Sequence, residues 1–297
     1  MTENIEEIRR LAESGDAEAQ SRLGDLHYTK EKVTEENRER VVNDNLEAYK
    51  WYRMAAEQGN AHAQYRLGIM HLYSHGFPKG FYKEDSMEEA EKWLKMAAEQ
   101  GYTNAQLELG ELLTLNDRKK EGERWYDMAA EHADGELLYD IGMRYWFGIL
   151  LQRNYDKAFR LFERGAGYGN AGALFMLGAM YCDGRGTPKN EEKGLKLIGT
   201  AVENYTEAAE KGDIDAQCAL GWIHGEGLGV PRDREKAMKW YLAAAGQGNA
   251  NARFHLGEIY ENGLGIPQDT EEAIKWYELA ADRDFRAKES LKKLRGE

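Results

Sequence analysis

WYRMAAEQGNAHAQYRLG at 51–68, WLKMAAEQGYTNAQLELG at 93–110, WYDMAAEHADGELLYDIG at 125–142 and WYLAAAGQGNANARFHLG at 240–257 are four copies of one pattern. A period of roughly 20 to 50 residues marks a chain built from stacked supersecondary units. A glycine that follows Leu or Ile recurs at Gly24, Gly68, Gly110, Gly142, Gly178, Gly221 and Gly257, giving seven repeats. From the anchors Trp51, Trp93, Trp125, Leu161 and Trp240 to the next such glycine is 17 residues each time. That stretch is therefore geometrically fixed.

Length varies elsewhere. From marker glycine to following anchor the spacing is 27, 25 and 15 in the first three repeats and 19 in the last four, so this segment holds a loop. Leu197 to Gly221 is 24 instead of 17. Seven extra residues are about two helical turns, so the pattern predicts a lengthened second helix in repeat five. The charged stretch 30–45, KEKVTEENRERVVNDN, reads as a solvated loop insertion.

Ala63, Leu67, Gly68 and His71 fall at i, i+4, i+5 and i+8, one stripe of a first helix. Glycine there costs roughly 1 kcal/mol relative to alanine, so its recurrence predicts close approach of two backbones, which Gly68→Val would wedge apart. The second helix carries Ala48, Trp51, Tyr52, Ala55 and Ala56 and stops at Gln58-Gly59, with Asn60 capping the next helix. Asp16, Asn170, Asp213 and Asn249 stand where Asn60 does, whereas Tyr102 and Ala133 depart from the pattern. The aromatic residues of the second helices, from Trp51 to Tyr277, read as packing.

The consensus A-x-A-Q-x-x-LG…G-x-G-[VI]-P-x-D…KA-x-[KW]-WY-x-x-AA-x-x-G resembles the Sel1-like repeat, a relative of the tetratricopeptide repeat. The resemblance spans about residues 16–285. It is fullest at Gly227, Gly229, Pro231, Asp233, Ala237, Trp240 and Tyr241 and at Gly263, Gly265, Pro267, Asp269, Ala273, Trp276 and Tyr277. It implies an all-α, right-handed α-α superhelical solenoid over 1–297. The expected repeats are 16–59, 60–101, 102–133, 134–169, 170–212, 213–248 and 249–285, followed by a polar capping helix at 286–297.

The resemblance also implies a concave face lined by first helices, with ligand contacts six and three residues before the marker glycine and one and four after it. The aromatics there are Tyr28, Tyr65, Tyr139, Trp146, Phe175, Trp222 and Phe254, and the acids invoked as contacts are Asp25, Glu111, Glu136, Asp215, Glu258 and Glu261. Lys and Arg are absent from those positions. Such a face suits a protein or peptide with apolar and basic side chains. The same aromatics equally suit packing between neighbouring first helices.

The net charge of −13 offers no basic field for nucleic acid or anionic lipid, so neither is expected as a partner. Two cysteines, Cys182 and Cys218, make no disulfide framework, and the N-terminal residues lack an apolar signal core, which points to a reducing cytoplasm. Gly225, Gly227 and Gly229, with Gly184 and Gly186, lack the strand and Gly-Lys-Ser/Thr of a phosphate loop. His71 and His75 lack a H-E-x-x-H pattern. No catalytic, metal or cofactor residues are assigned. Three readings stay open: a non-enzymatic adaptor gripping a partner segment in its groove; an immunity protein or stable subunit that meets a globular partner through inserted loops; and, weakest, a β-lactamase-type hydrolase, for which the paired cysteines of some relatives are missing.

Overall fold

The computed structural model describes residues 5–29, 34–73 and 86–296, and among these there is no strand. In chain order the helices are α1 (Ile5–Glu13), α2 (Ala17–His27), α3 (Arg38–Glu57), α4 (Ala61–Tyr73), α5 (Ser86–Glu99), α6 (Thr103–Leu115), α7 (Lys119–Glu131) and α8 (Gly135–Phe147). They continue as α9 (Tyr155–Gly167), α10 (Ala171–Asp183), α11 (Glu191–Glu210), α12 (Ile214–Glu226), α13 (Arg234–Gly246), α14 (Ala250–Asn262), α15 (Thr270–Ala280) and α16 (Phe285–Arg295). The fold is an all-α solenoid of helix pairs. It divides into two compact units, residues 1–133 with 147–153, and residues 134–146 with 154–297.

Each even-numbered helix from α2 to α14 is the first helix of a repeat and packs on the helix after it. The marker glycine is what lets it do so. A Cβ on Gly24, Gly221 or Gly257 would lie 2.4–2.6 Å from a ring atom of Tyr52, Tyr241 or Tyr277, and on Gly142 it would lie 2.6 Å from Phe162. Leu94, Tyr126 and Ile198 fill the same place against Gly68, Gly110 and Gly178. The glycine thus seats the side chain that follows the anchor position, and Tyr52, Leu94, Tyr126, Phe162 and Tyr277 are fully buried there.

Backbone comes nearest to backbone where the second helix also carries glycine. Gly122 and Gly194 replace the alanine of the other repeats, and a Cβ on either would sit 2.6 Å from the carbonyl oxygen of Gly110 or Gly178. The expected close approach of two backbones is thus met at those two glycine pairs, while elsewhere the notch holds a side chain of the second helix, a ring against Gly24, Gly142, Gly221 and Gly257 and Leu94 against Gly68.

Repeats are joined by a second device. The glutamine of A-x-A-Q reaches back to the last turn of the preceding second helix: Gln20 Nε2 donates to the Ala12 carbonyl, Gln64 to Ala56 and Gln106 to Ala98 at 3.1 Å, and Gln217 to Ala209 at 3.0 Å. The glutamine at the end of the repeat's own second helix then donates to it, as Gln58 to Gln20 and Gln100 to Gln64 at 2.7 Å and Gln247 to Gln217 at 2.9 Å. Each of these carbonyls also accepts from the glycine amide of the following turn at 3.0–3.1 Å, so the glutamine adds a second, side-chain bond at a buried helix end. At Gln106 the chain of donors stops, because His132 stands where Gln58 and Gln100 do, and Gln106 Oε1 is buried without a donor.

The same bond shows what α1 is. Ser14-Gly15-Asp16 repeats the turn of Gln58-Gly59-Asn60, and Ile8 and Ala12 pack on Ala19 and Leu23, so α1 is the second helix of a half-repeat. Asp16, Asn60, Asn170, Asp213 and Asn249 accept from the amide three residues on at 2.7–2.9 Å, while Tyr102 makes no side-chain cap.

The second helix of repeat five, α11, is extended to 20 residues where α13 has 13. The insertion at 30–45 is not a loop throughout: α3 begins at Arg38 and buries Val41 and Asn45, so its second half is helix. A buried asparagine that accepts from the Thr29 amide at 3.0 Å explains why a polar stretch folds back here. α16 packs Ala287 and Leu291 into one buried cluster with Phe254 of α14 and Ala273, Tyr277 and Ala280 of α15. His75 lies outside the described residues.

Candidate functional site

In the first unit the expected contact residues are already occupied from within the chain. Arg66, two residues before its marker glycine, stacks its guanidinium 4.4 Å from the Tyr28 ring centroid and pairs with Asp25 at 3.1 Å. Asp25 also accepts from the Tyr52 hydroxyl at 2.6 Å and from His62 Nε2 at 3.0 Å. Burial pushes the Asp25 carboxyl up, but the bonds from His62 and Tyr52 and the charges of His62 and Arg66 together hold it below its ordinary value. Tyr65 lies against Tyr102, ring centroids 5.2 Å apart. Glu111 lies near Tyr73, whose hydroxyl donates to Glu108 at 3.1 Å.

In the second unit four expected residues are similarly engaged. The guanidinium of Arg185 covers Trp146 at 5.5 Å, and that of Arg286 covers Phe254 at 4.1 Å. Glu258 takes His255 Nδ1 at 2.8 Å, and Glu261 accepts from the Tyr277 hydroxyl at 2.6 Å with Lys293 at 3.6 Å. Positive charge does reach the first-helix face, through Arg66 and Arg286, which stand outside the four positions counted in the sequence.

The remaining expected residues of this unit, Glu136, Tyr139, Phe175, Asp215 and Trp222, come together along α8, α10 and α12. A depression of about 540 Å³ is lined by Glu136, Tyr139, Asn170, Tyr205, Asp213 and Asp215. A second, of about 430 Å³, shares Asp215 and Ala219 with it and continues over Trp222, Asn251 and His255 to Arg286. Phe175 is buried beneath Trp222, centroids 5.6 Å apart, and Trp222 keeps 43% of its surface exposed.

Carboxylates dominate the larger depression. Burial, then the neighbouring charges of Asp140, Asp134 and Asp213, push the Glu136 carboxyl up against one hydrogen bond from Asn170 Nδ2 at 2.8 Å. Asp140 is also pushed up by burial, although Arg144 opposes this. Asp215 has only a long bond from Asn249 Nδ2 at 3.3 Å beside it. The walls are Tyr139, whose ring would touch a Cβ at Gly172 at 2.8 Å, and Tyr205. Tyr205 lies in the last turns of the lengthened α11, a second helix, and so stands outside the first-helix positions expected to carry contacts.

Burial pushes the Cys218 thiol up to about 11, and the Cys182 thiol is raised by burial and by Glu191 and Asp183, so neither is set up as a thiolate nucleophile. Among the described residues no group of three His, Cys, Asp or Glu is placed to hold a metal ion. No helix of the described residues is long and apolar enough to cross a membrane.

The chain is 28% identical over 108 residues to mouse protein sel-1 homolog 2, covering 36% of this chain and 15% of that protein. It is 30% identical over 90 residues to the Arabidopsis thaliana ERAD-associated E3 ubiquitin-protein ligase component HRD3B, covering 30% and 14%. The chain therefore spans only about one-seventh of the length of these curated relatives. Among solved structures it is similar over 98% of its length to a protective antigen of uropathogenic Escherichia coli with an SLR fold, at TM-score 0.57 and 29% identity, covering 59% of that chain. It is also similar over 97% of its length to a Sel1 repeat protein from Oxalobacter formigenes, at TM-score 0.54 and 27% identity, covering 90% of that chain. The Sel1 repeat itself is matched seven times, at 17–60, 61–102, 104–134, 136–167, 171–213, 214–249 and 250–285. With its repeats matched from residue 17 to 285, the chain belongs to the Sel1 repeat family, whose proteins mediate protein–protein interaction and are typically non-catalytic scaffolds.

Proposed function

We propose that this chain is a non-enzymatic adaptor that holds a partner segment with basic and apolar side chains on the α8–α10–α12 face. The observation that carries this reading is the open depression in which Glu136, Asp213 and Asp215 stand beside Tyr139 and Tyr205, continuous with exposed Trp222. Carboxylates that line one open depression attract an incoming cation, and aromatic rings at the centre of an interface supply most of its apolar energy. Aromatic walls also accept a cation on their faces.

A peptide-display selection against the immobilised full chain tests this. The expected result is enrichment of segments combining Lys or Arg with aromatic or branched aliphatic residues, with affinity that falls as salt rises. Glu136→Gln/Asp215→Asn should lose them by about tenfold, since a charge-assisted contact is worth roughly 1.5 kcal/mol or more. Selection of acidic segments, or binding indifferent to both substitutions, would remove the basis of the reading.

A further inference from the structure

Three rings of the first-helix face carry a guanidinium supplied by this same chain, and each guanidinium is paired with a carboxylate. Arg66 lies 4.4 Å over Tyr28 and pairs with Asp25 at 3.1 Å; Arg185 lies 5.5 Å over Trp146 and pairs with Asp183 at 3.5 Å; Arg286 lies 4.1 Å over Phe254 and pairs with Asp284 at 2.5 Å. Lysines lie over rings as well, Lys157 at 4.9 Å from the Tyr145 centroid and Lys193 at 4.1 Å from that of Tyr181, but each also donates to the phenol oxygen of the ring it covers, at 3.2 and 2.7 Å. The depression between α8, α11 and α12 has the same ingredients, with Tyr139 and Tyr205 as rings and Glu136, Asp213 and Asp215 as carboxylates. No arginine or lysine lines it.

We infer that this depression is a receptor for an arginine side chain of the partner, the external counterpart of Arg66, Arg185 and Arg286. The inference rests on the adaptor reading and names the residue the adaptor grips. Planarity and donor number argue for arginine over lysine. A guanidinium is a flat plate that stacks on a phenol ring and directs five N–H donors outward in its plane, whereas an ammonium is a compact, strongly hydrated point charge. Carboxylates here come from two helices, Glu136 from α8 and Asp215 from α12, with Asp213 at the N-terminal cap of α12. A planar fork can address more than one of them while its face lies on a tyrosine. Asp213 spends one oxygen on the Ala216 amide at 2.7 Å, so it enters as a charge already oriented by the fold.

The test is an NMR titration of the isotopically labelled full chain at low salt with acetyl-arginine-amide and, separately, acetyl-lysine-amide. The expected result is saturable shifts confined to the amides of residues around Glu136, Tyr139, Tyr205 and 213–219, with arginine at least about threefold tighter than lysine. Glu136→Gln/Asp215→Asn should weaken the arginine response about tenfold at unchanged helix content. Asp213→Asn, which keeps a capping side chain, should weaken it less. Equal responses to arginine and lysine would overturn the arginine assignment while leaving the adaptor reading intact. Shifts that appear on raising the protein concentration alone would mean that a second copy fills the site, and would overturn it too. Localised arginine binding alongside a display selection that enriches no basic segments would sink the adaptor reading and leave the receptor standing.

Discussion

Replacing Gly221 and Gly199 by alanine should move stability in opposite directions. Both glycines are helical, Gly221 in α12 and Gly199 in α11. A Cβ at Gly199 meets nothing within 4 Å, so Gly199→Ala should stabilise by about 0.5–1 kcal/mol, the ordinary gain from removing glycine from a helix interior. A Cβ at Gly221 would lie 2.6 Å from Cδ1 and Cε1 of Tyr241 and 2.8 Å from its Cγ. The ring is buried, and its face stacks on the His255 ring, centroids 5.1 Å apart, so it has little room to retreat. Overpacking of this kind costs about 1–3 kcal/mol. With the helix gain set against it, Gly221→Ala should destabilise by about 1–2 kcal/mol. Urea unfolding of both variants gives the comparison, with native-state hydrogen exchange in α12 and α13 locating the loss, because a repeat array need not unfold in one step. If Gly221→Ala raises the midpoint as Gly199→Ala does, the ring-in-notch account of the marker glycine fails.

His132→Gln should supply the missing donor to Gln106 Oε1 and stabilise by about 0.5–1.5 kcal/mol; an unchanged urea midpoint would show that the third junction is built differently. Because the folded-state carboxyl of Glu136 lies above its ordinary value, that group's contribution to stability falls as pH rises through the raised value. Glu136→Gln should therefore be the more stable protein at pH 7, and melts taken downward in pH should show the advantage shrinking toward pH 4.5 and below. Arg66→Ala should cost about 1–2 kcal/mol once the partial exposure of Asp25 is discounted, and millimolar acetyl-arginine-amide should raise its melting temperature more than that of the parent chain. No differential effect would mean that the Asp25–Tyr28 pair does not recognise a free guanidinium.

The repeat, the marker glycines and the long α11 could be read from the sequence because each is a matter of counting residues. What the glycine faces could not, since a spacing of 17 does not say which side chain of the partner helix turns toward it. The face was only half legible for a related reason. Counting four positions per repeat found Glu136, Tyr139, Asp215 and Trp222, but it passed over Tyr205, which sits on a second helix inside the seven-residue extension. It also passed over Arg66 and Arg286, which close other parts of the face from positions outside the count. The half-repeat at α1 did have a signal, because SGDAEAQ at 14–20 matches QGNAHAQ at 58–64. The helical start of α3 had none, since its polar composition reads as loop until Asn45 is seen to be buried.

The glutamine junctions bear on how such a chain changes length over evolution. Where the glutamine link is made, it joins a helix end to the next repeat through residues that those repeats carry in their own copies, while Leu138, Leu174 and Arg253 stand in the glutamine's place in the others. A duplication that inserts one whole repeat recreates both halves of the junction at once, whereas a duplication cut elsewhere leaves a helix end without its glutamine. Whole-repeat gain and loss is then the path of least resistance, and a substitution such as His132 records where a junction has begun to diverge from its siblings.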